Sequence, residues 1–541
     1  MDLLVTNANV LTMDGRDTPT SPTRSAIAIH AGKIVAVGRD QDVAALRRPG
    51  MRVIDAGGRT VLPGFIEPHN HMVGYGTALI GVDARTPPNE TIADLVTRLR
   101  QAAAASPSHR WILGRGYDDT GLRDMRHPTR RDLDRASTEH PIVIWHNSGH
   151  LLVANSKALA MAGITATTAD PPGGRIGRLE GSAEPDGVLY EAPAQTMVSR
   201  LIPAYEPAEL AAAFARAQDE FLRQGVTTIH DAHVSRLRGL DIHDTYRRMR
   251  AEGALKLRVN MFMQWDYLKE LDFAPVPGSG DERLRVAGCK IVSDGSIQGI
   301  TAALREPYYC NEGEKGWLIY EQAELDDMVL TLHRRGYQIA IHANGDAAID
   351  SVLLAYGRAL QTIPRADHRH RIEHCQVCHP GQLEQIRRLG VIPNFFANHV
   401  YYWGDRHRDR FLGPARVQVL DPVGSAFRAG IRPMLHSDCP VTPVSPLFCV
   451  QSAAARVTSS GKVLNDPERV AVREALSTVT SNAARGAFEE RVKGTLEVGK
   501  LGDLVILGAD PLKEAPHEIG QIPVAATVVG GEVVYQETAI G

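Results

Sequence analysis

No stretch of this sequence approaches the roughly 20 consecutive apolar residues that a membrane-spanning helix needs. There is no basic excess either. The 60 Lys and Arg stand against 63 Asp and Glu, for a formal net charge of −3 and a pI near 6.7. That balance argues against nucleic acid or an anionic membrane as a partner. The Arg-rich stretches Arg123–Arg135 and Arg406–Arg410 also carry Asp and read as solvated faces. Cysteine is scarce, with 6 in 541 residues, which excludes a disulfide framework. Cys375 and Cys378 are the only close pair; lacking a second pair, they read as packing residues rather than a structural zinc site. The opening MDLLVTNANVLTMDG has no basic n-region and no long apolar h-region, so it reads as a strand and a turn. These absences predict a cytoplasmic location. No glycine-rich phosphate loop stands in a Walker or dinucleotide context, and no organic cofactor is expected.

What is present centres on Leu62–Gly76, LPGFIEPHNHMVGYG. His69 and His71 stand two apart after the apolar run Thr60–Ile66, which reads as a buried strand with a Pro-Gly interruption. Side chains at i and i+2 of a strand share a face, so both imidazoles can converge on one ion.

A chain of this length predicts several domains or one large barrel with additions. Residues 2–60 are rich in short Val/Ile/Ala strands with Asp-Gly and Ala-Gly turns, and the C-terminal GKLGDLVILGAD and AATVVGGEVVYQ repeat that style. Two remote segments too small to fold alone are expected to pair into one β-sandwich, from 1–61 and 485–541. Between them, seven further apolar runs follow the first: Gly225–Ala232, Leu257–Trp265, Leu284–Ser296, Tyr337–Asp346, Arg369–Gln376, Val391–His399 and Arg432–Val441. Helix-like segments separate most of them. Eight strands alternating with helices predict an α/β fold, a (β/α)8 barrel over 62–84 and 205–484, with reactive groups at the C-terminal strand ends. About 150 residues separate the first run from Gly225, far more than an ordinary crossover. Residues 85–204 are therefore expected to form an inserted subdomain that caps the barrel and shapes a pocket.

The ionisable residues at the expected strand ends are His69, His71, Lys290, His342, His374 and Asp438. A lone strand histidine is usually a hydrogen-bonded core residue, and a strand-end Asp is often a helix cap. Six such groups buried together without partners would be costly, which favours a site. Lys290 is the informative member, because a bare ammonium would repel divalent cations. A neutral lysine amine can add carbon dioxide, and the resulting carbamate can bridge two metals. Two divalent ions against Asp438, the carbamate and a bridging hydroxide leave about one positive charge, suited to polarising a carbonyl.

The motifs LPGFIEPHNH, WHNSGHLLVANSKALAMAGI, GVTTIHDA, KIVSDGSIQGITAAL, IHANGDAAID, RIEHCQ, HSDCPVTPVSPL and SNAARGAFEERVKGTLEVGKLGDLVIL run in order along nearly the whole chain. In them the sequence resembles the amidohydrolase superfamily, in particular the amidohydrolase-3 branch that includes N-substituted formamide deformylases. The resemblance implies the composite fold and a site for two divalent metal ions, often zinc. It makes His69 and His71 the first ligand pair, Lys290 the N6-carboxylated bridge, His342 and His374 ligands of the second metal, and Asp438 the final carboxylate. Glu67 stands where many relatives have Asp. The implied reaction is hydrolysis of a C–N amide-type bond outside peptides, in an N-substituted formamide or related N-acyl amine. A metal-bridging hydroxide would attack the carbonyl, with Asp438 as general base and then acid.

The expected partner is a small-molecule amide with an apolar or aromatic group, met by Tyr401, Tyr402 and Trp403, with Tyr75, Trp111 and Tyr117. Those rings can equally anchor loops. His146 and His150 either contact substrate or hold loop backbone. Arg305 either binds an anionic group or pairs with Glu306 or Glu312. Two other functions are consistent with the sequence. One is a mononuclear heterocycle deaminase in which His374 shuttles protons; the other is an inactive regulatory or assembly relative. A homo-oligomer is common among such proteins.

Overall fold

In the computed structural model, residues 2–15, 24–237, 240–271 and 274–537 are described. Eight parallel strands form one sheet: β1 Phe65–Asn70, β2 Val226–Val234, β3 Arg258–Gln264, β4 Leu284–Val292, β5 Gln338–Ala343, β6 Arg371–His374, β7 Ile392–Phe395 and β8 Met434–Leu435. They pair in sequence order from β1 to β8. Each of the eight apolar runs thus supplies one strand, and the sheet with its covering helices is a (β/α)8 barrel. Glu67 on β1 joins its two ends. Ser437, just past β8, donates to the Glu67 carboxylate from its amide at 3.1 Å and its hydroxyl at 2.9 Å. Burial pushes the Glu67 carboxyl up to about 8.

The helices that cover the barrel follow from apolar spacing. In α2, Pro207–Arg223, Leu210, Ala213, Phe214, Ala217, Phe221 and Leu222 recur at helical period and are buried, and Pro207 opens the first turn. This helix packs on α1, Met72–Ala78, where a side chain at Gly76 would meet the Ala213 carbonyl oxygen at 3.0 Å. α3, Asp346–Thr362, follows β5 in the same way and buries Ile349, Val352, Leu353 and Tyr356.

The run Thr60–Ile66 is not one strand. Thr60–Pro63 pairs antiparallel with Leu504–Leu507 in a five-stranded sheet, whereas Phe65 starts the barrel. Gly64 is the changeover: its amide donates to Asp503, and the next amide, of Phe65, donates to Gly225. A β-carbon at Gly64 would collide with Thr227. The five-stranded sheet shares one core with a four-stranded sheet built from Leu3–Thr6, Ala26–His30, Lys33–Gly38 and Arg52–Asp55. The sandwich is therefore composite, with Leu3, Val5 and Ile27 packed beside Leu504, Ile506 and Val528.

The insertion is a six-stranded sheet running from Val82–Asp83 through Ile112–Tyr117, Ile142–His146, Leu151–Ala154 and Pro185–Tyr190 to Arg175–Arg178. Apolar clusters cover both of its faces. Among the described residues, no helix is long and apolar enough to cross a membrane.

Candidate active site

A cavity of about 2000 Å³ opens between the C-terminal ends of the barrel strands and the insertion. His71, Lys290, His342, His374 and Asp438 line it, and His69 is buried directly beneath. His69 is on β1 and His71 follows that strand's last residue. Lys290 is on β4, His342 on β5, and His374 ends β6. Asp438 follows β8 with a left-handed backbone at φ 53°, and His374 has φ 69°. Non-glycine residues in that region store strain, which is common at functional sites.

The Asp438 carboxylate is the meeting point. Its Oδ1 lies 3.1 Å from His71 Nε2 and 3.4 Å from His69 Nε2, and its Oδ2 lies 3.9 Å from His374 Nδ1. The donors of His69, His374 and Asp438 all fall within 4.8 Å of one another. His69 Nε2, His374 Nδ1 and Asp438 Oδ1 are buried and make no hydrogen bond. His69 donates from Nδ1 to Glu373, which leaves Nε2 as a lone-pair donor for a cation. Two imidazoles and a carboxylate, unpartnered in a buried cluster, suit a divalent metal. His342 packs ring-to-ring on His374 at 4.5 Å, but its Nε2 donates to the Gly295 carbonyl at 3.0 Å. That leaves Nδ1 as the atom it can offer a cation. Burial lowers Lys290, which favours the neutral amine that carbon dioxide requires. Burial also holds His69, His342 and His374 well below the usual histidine range, as neutral ligands must be.

The comparisons with known proteins agree along the chain. Residues 52–535 match the amidohydrolase family, Amidohydro_3. The chain belongs to this family. An N-substituted formamide deformylase of Arthrobacter pascens is 30% identical, over 99% of both chains. The putative amidohydrolase YtcJ of Bacillus subtilis is 27% identical over 91% of this chain and 92% of its own. A solved metal-dependent hydrolase from Pyrococcus furiosus has the same fold, with TM-score 0.73 at 24% identity, covering 95% of this chain and 100% of its own. As an amidohydrolase, this protein is a metal-dependent hydrolase.

The pocket residues expected from sequence divide. Tyr75, His146, His150, Tyr401, Tyr402 and Trp403 line the cavity. His150 bonds through Nδ1 to Glu191 at 2.7 Å, with its ring 5.0 Å from that of His342. Three others are placed elsewhere. Tyr117 is fully buried in the core of the insertion, its hydroxyl 3.3 Å from His127 Nδ1. Trp111 packs against the opposite apolar cluster of that sheet. Arg305 forms a two-point ion pair with Asp350 at 2.6 and 2.7 Å, outside the cavity, and neither Glu306 nor Glu312 is its partner. Arg406 departs from the solvated face expected of it. It reaches the cavity and binds Asp118 at 2.9 Å, beside Trp403, whose Nε1 donates to the same carboxylate.

Several residues at the site carry no strong signal in the sequence. Glu373 and Arg371 brace His69 from β6, and RIEH shows them only as neighbours of a histidine. Asp294 accepts three backbone amides, of Ala303, Asn344 and Gly345, and fixes the loop that carries Gly295. His436 lies buried 4.9 Å from His69 and 5.0 Å from His374, ring to ring, and His233 lines the cavity.

Proposed function

We propose that this amidohydrolase cleaves the C–N bond of a small amide, an N-substituted formamide or related N-acyl amine, in the cavity above Asp438. His69, His71, Lys290, His342, His374 and Asp438 would hold two divalent cations, zinc being the family's frequent choice, with Lys290 N6-carboxylated. The observation that carries this reading is the Asp438 carboxylate standing 3.1, 3.4 and 3.9 Å from three imidazole nitrogens. When bound, the cations supply Lewis-acid polarisation of the carbonyl and a lowered pKa for the attacking water.

The chain's own residues do the rest. Asp438 accepts the proton of the attacking water and returns it to the leaving nitrogen, a general-base and then general-acid role. Glu373 holds His69 in one tautomer. Tyr401, Tyr402 and Trp403 form an aromatic wall that favours an apolar or aromatic substituent. The relative from Arthrobacter pascens supports the formamide class. For the chain's organisation we propose, with the bounds expected from sequence moved by the pairing of Thr60–Pro63 and of Val82–Asp83, a sandwich of residues 1–63 and 485–541, a barrel of 64–81 and 205–484, and a capping insertion of 82–204. The test is a screen of formamides, acyl amides and hydantoin-like rings against zinc-loaded protein, with release of amine or carboxylate measured. Release of amine from formamides is expected; turnover of none of these amides rejects the reading.

One observation favours a second reading. The three donors that cluster within 4.8 Å do not include His342, whose Nε2 is turned to Gly295. A single cation held by His69, His374 and Asp438 fits that geometry, whereas the mononuclear deaminase expected from sequence has His342 as a ligand and His374 free to shuttle protons. Metal content decides: one ion per chain with unmodified Lys290 selects the single cation.

A further inference from the structure

We propose that His233, at the end of β2, is a further substrate-contacting residue whose Nε2–H donates a hydrogen bond to the acyl oxygen of the amide. The inference rests on the hydrolytic reading above and adds a protein donor at the oxygen where negative charge develops.

The backbone aims this side chain. Along β2 and β3 the register passes from Asp231 opposite Met261 to Val234 opposite Met263, so three residues advance against two. Such a bulge breaks the in-out alternation of a strand and re-aims a side chain, a device frequent beside active sites. Asp231 secures the bulge: its Oδ1 accepts the His233 amide at 3.0 Å, and Tyr246 donates to its Oδ2 at 2.5 Å. The His233 ring is thereby turned into the cavity that holds His71, Lys290 and Asp438. It meets the His71 ring edge-on, at 5.9 Å and 74°.

Gln264 then fixes where the ring proton sits. Its Nε2 donates to the Ala232 carbonyl at 2.9 Å and lies 3.3 Å from His233 Nδ1. Flipping the amide would set Oε1 against that carbonyl oxygen, so the NH2 group is the one facing the ring. His233 Nδ1 is therefore an acceptor, and the hydrogen is on Nε2, which has no hydrogen-bond partner among the described residues. Nε2 would also carry hydrogen in an imidazolium, so the donor role does not depend on the charge state. In the reaction no bond to His233 forms or breaks; the hydrogen bond shortens as the carbonyl oxygen gains charge and lengthens as the amine departs.

A donor of this kind acts in the transition state more than in the ground state, so its removal lowers kcat rather than raising KM. The test uses the zinc-loaded full chain with His233→Ala, His233→Gln and Gln264→Glu. His233→Ala is expected to lose about 10²-fold in kcat with KM changed less than about threefold. His233→Gln, which restores an N–H, is expected to recover about tenfold of that loss. Metal per chain, measured by elemental analysis, stays at the wild-type value. Nitrogen-15 spectra of labelled histidine, with the His233 signals identified from their absence in His233→Ala, are expected to show Nε2 protonated and Nδ1 bare. Gln264→Glu is expected to move the proton to Nδ1 and to lower kcat as His233→Ala does. An unchanged kcat in His233→Ala, a loss of metal from it, or the opposite tautomer in the wild type each overturns the inference. If the wild type turns over no amide, the hydrolytic reading fails and the acyl-oxygen role falls with it. The spectra still judge the tautomer separately.

Discussion

Glu373 accepts the Nδ1 proton of His69 across the barrel interior, and both side chains are fully buried. Arg371, two residues earlier on β6, holds the same carboxylate at 2.6 Å, and Asn394 donates to it at 2.7 Å. Against the cost of burial, that guanidinium keeps the Glu373 carboxyl below its ordinary range. The anion is thus a fixed feature, and it sets which nitrogen of His69 is free.

Replacing Glu373 with Gln therefore weakens the metal site without touching a ligand. Partners of this kind are worth about 10- to 100-fold in metal affinity. Competition against a chelator is expected to show a loss of that size, with near-unchanged far-UV circular dichroism. Undiminished affinity would mean that His69 does not bind a cation through Nε2.

Asp438→Asn and Lys290→Ala separate two roles. The first is expected to abolish turnover while retaining metal, because an amide keeps an oxygen donor but accepts no proton. The second is expected to abolish turnover and to regain part of it when short carboxylic acids are added, since they replace the missing carbamate oxygens. Full activity of Lys290→Ala without such acids would show that Lys290 is not the bridge.

Asp421 offers a pH test away from the site. It is fully buried, and burial pushes its carboxyl up to about 7, against 3.8 for the free side chain. The folded chain then holds a proton that the unfolded chain has lost between those values. The stability this contributes is complete below pH 3.8 and disappears as pH rises to about 7. Asp421→Asn is expected to gain in Tm relative to wild type between pH 5 and pH 8. A constant difference across that span would refute the raised carboxyl.

Arg258 on β3 and Asp503 beside the sandwich strand Leu504–Leu507 form a buried two-point ion pair, at 2.6 and 2.9 Å. Removing one member leaves an uncompensated charge. Asp503→Ala is expected to cost about 3–5 kcal/mol, read by urea unfolding, while replacing both members costs less.

The eight strands could be read from the sequence because each is a short apolar run with polar or ionisable residues at its end. The barrel brings His69, His71, Lys290, His342, His374 and Asp438, the residues proposed as its site, together at those ends. In Thr60–Ile66 the Pro63-Gly64 interruption marks the break, but nothing in the run shows that hydrogen bonding switches there from one sheet to another. Tyr117 and Trp111 look like pocket aromatics by composition alone, yet both face packed interiors of the insertion. Arg305 finds its partner 45 residues away across a helix, which no local charge pattern shows. Glu373, Asp294 and His233 act through contacts and through a bulge, and neither is visible in a linear order of residues.

The swivel at Gly64 has a mechanical consequence. Two successive amides are tied to different domains, and five residues further on comes the first histidine of the pair. Strain applied to the terminal sheets, by a crowding neighbour or a lost strand, would thus reach His69 of the proposed cation site along a tether of five residues.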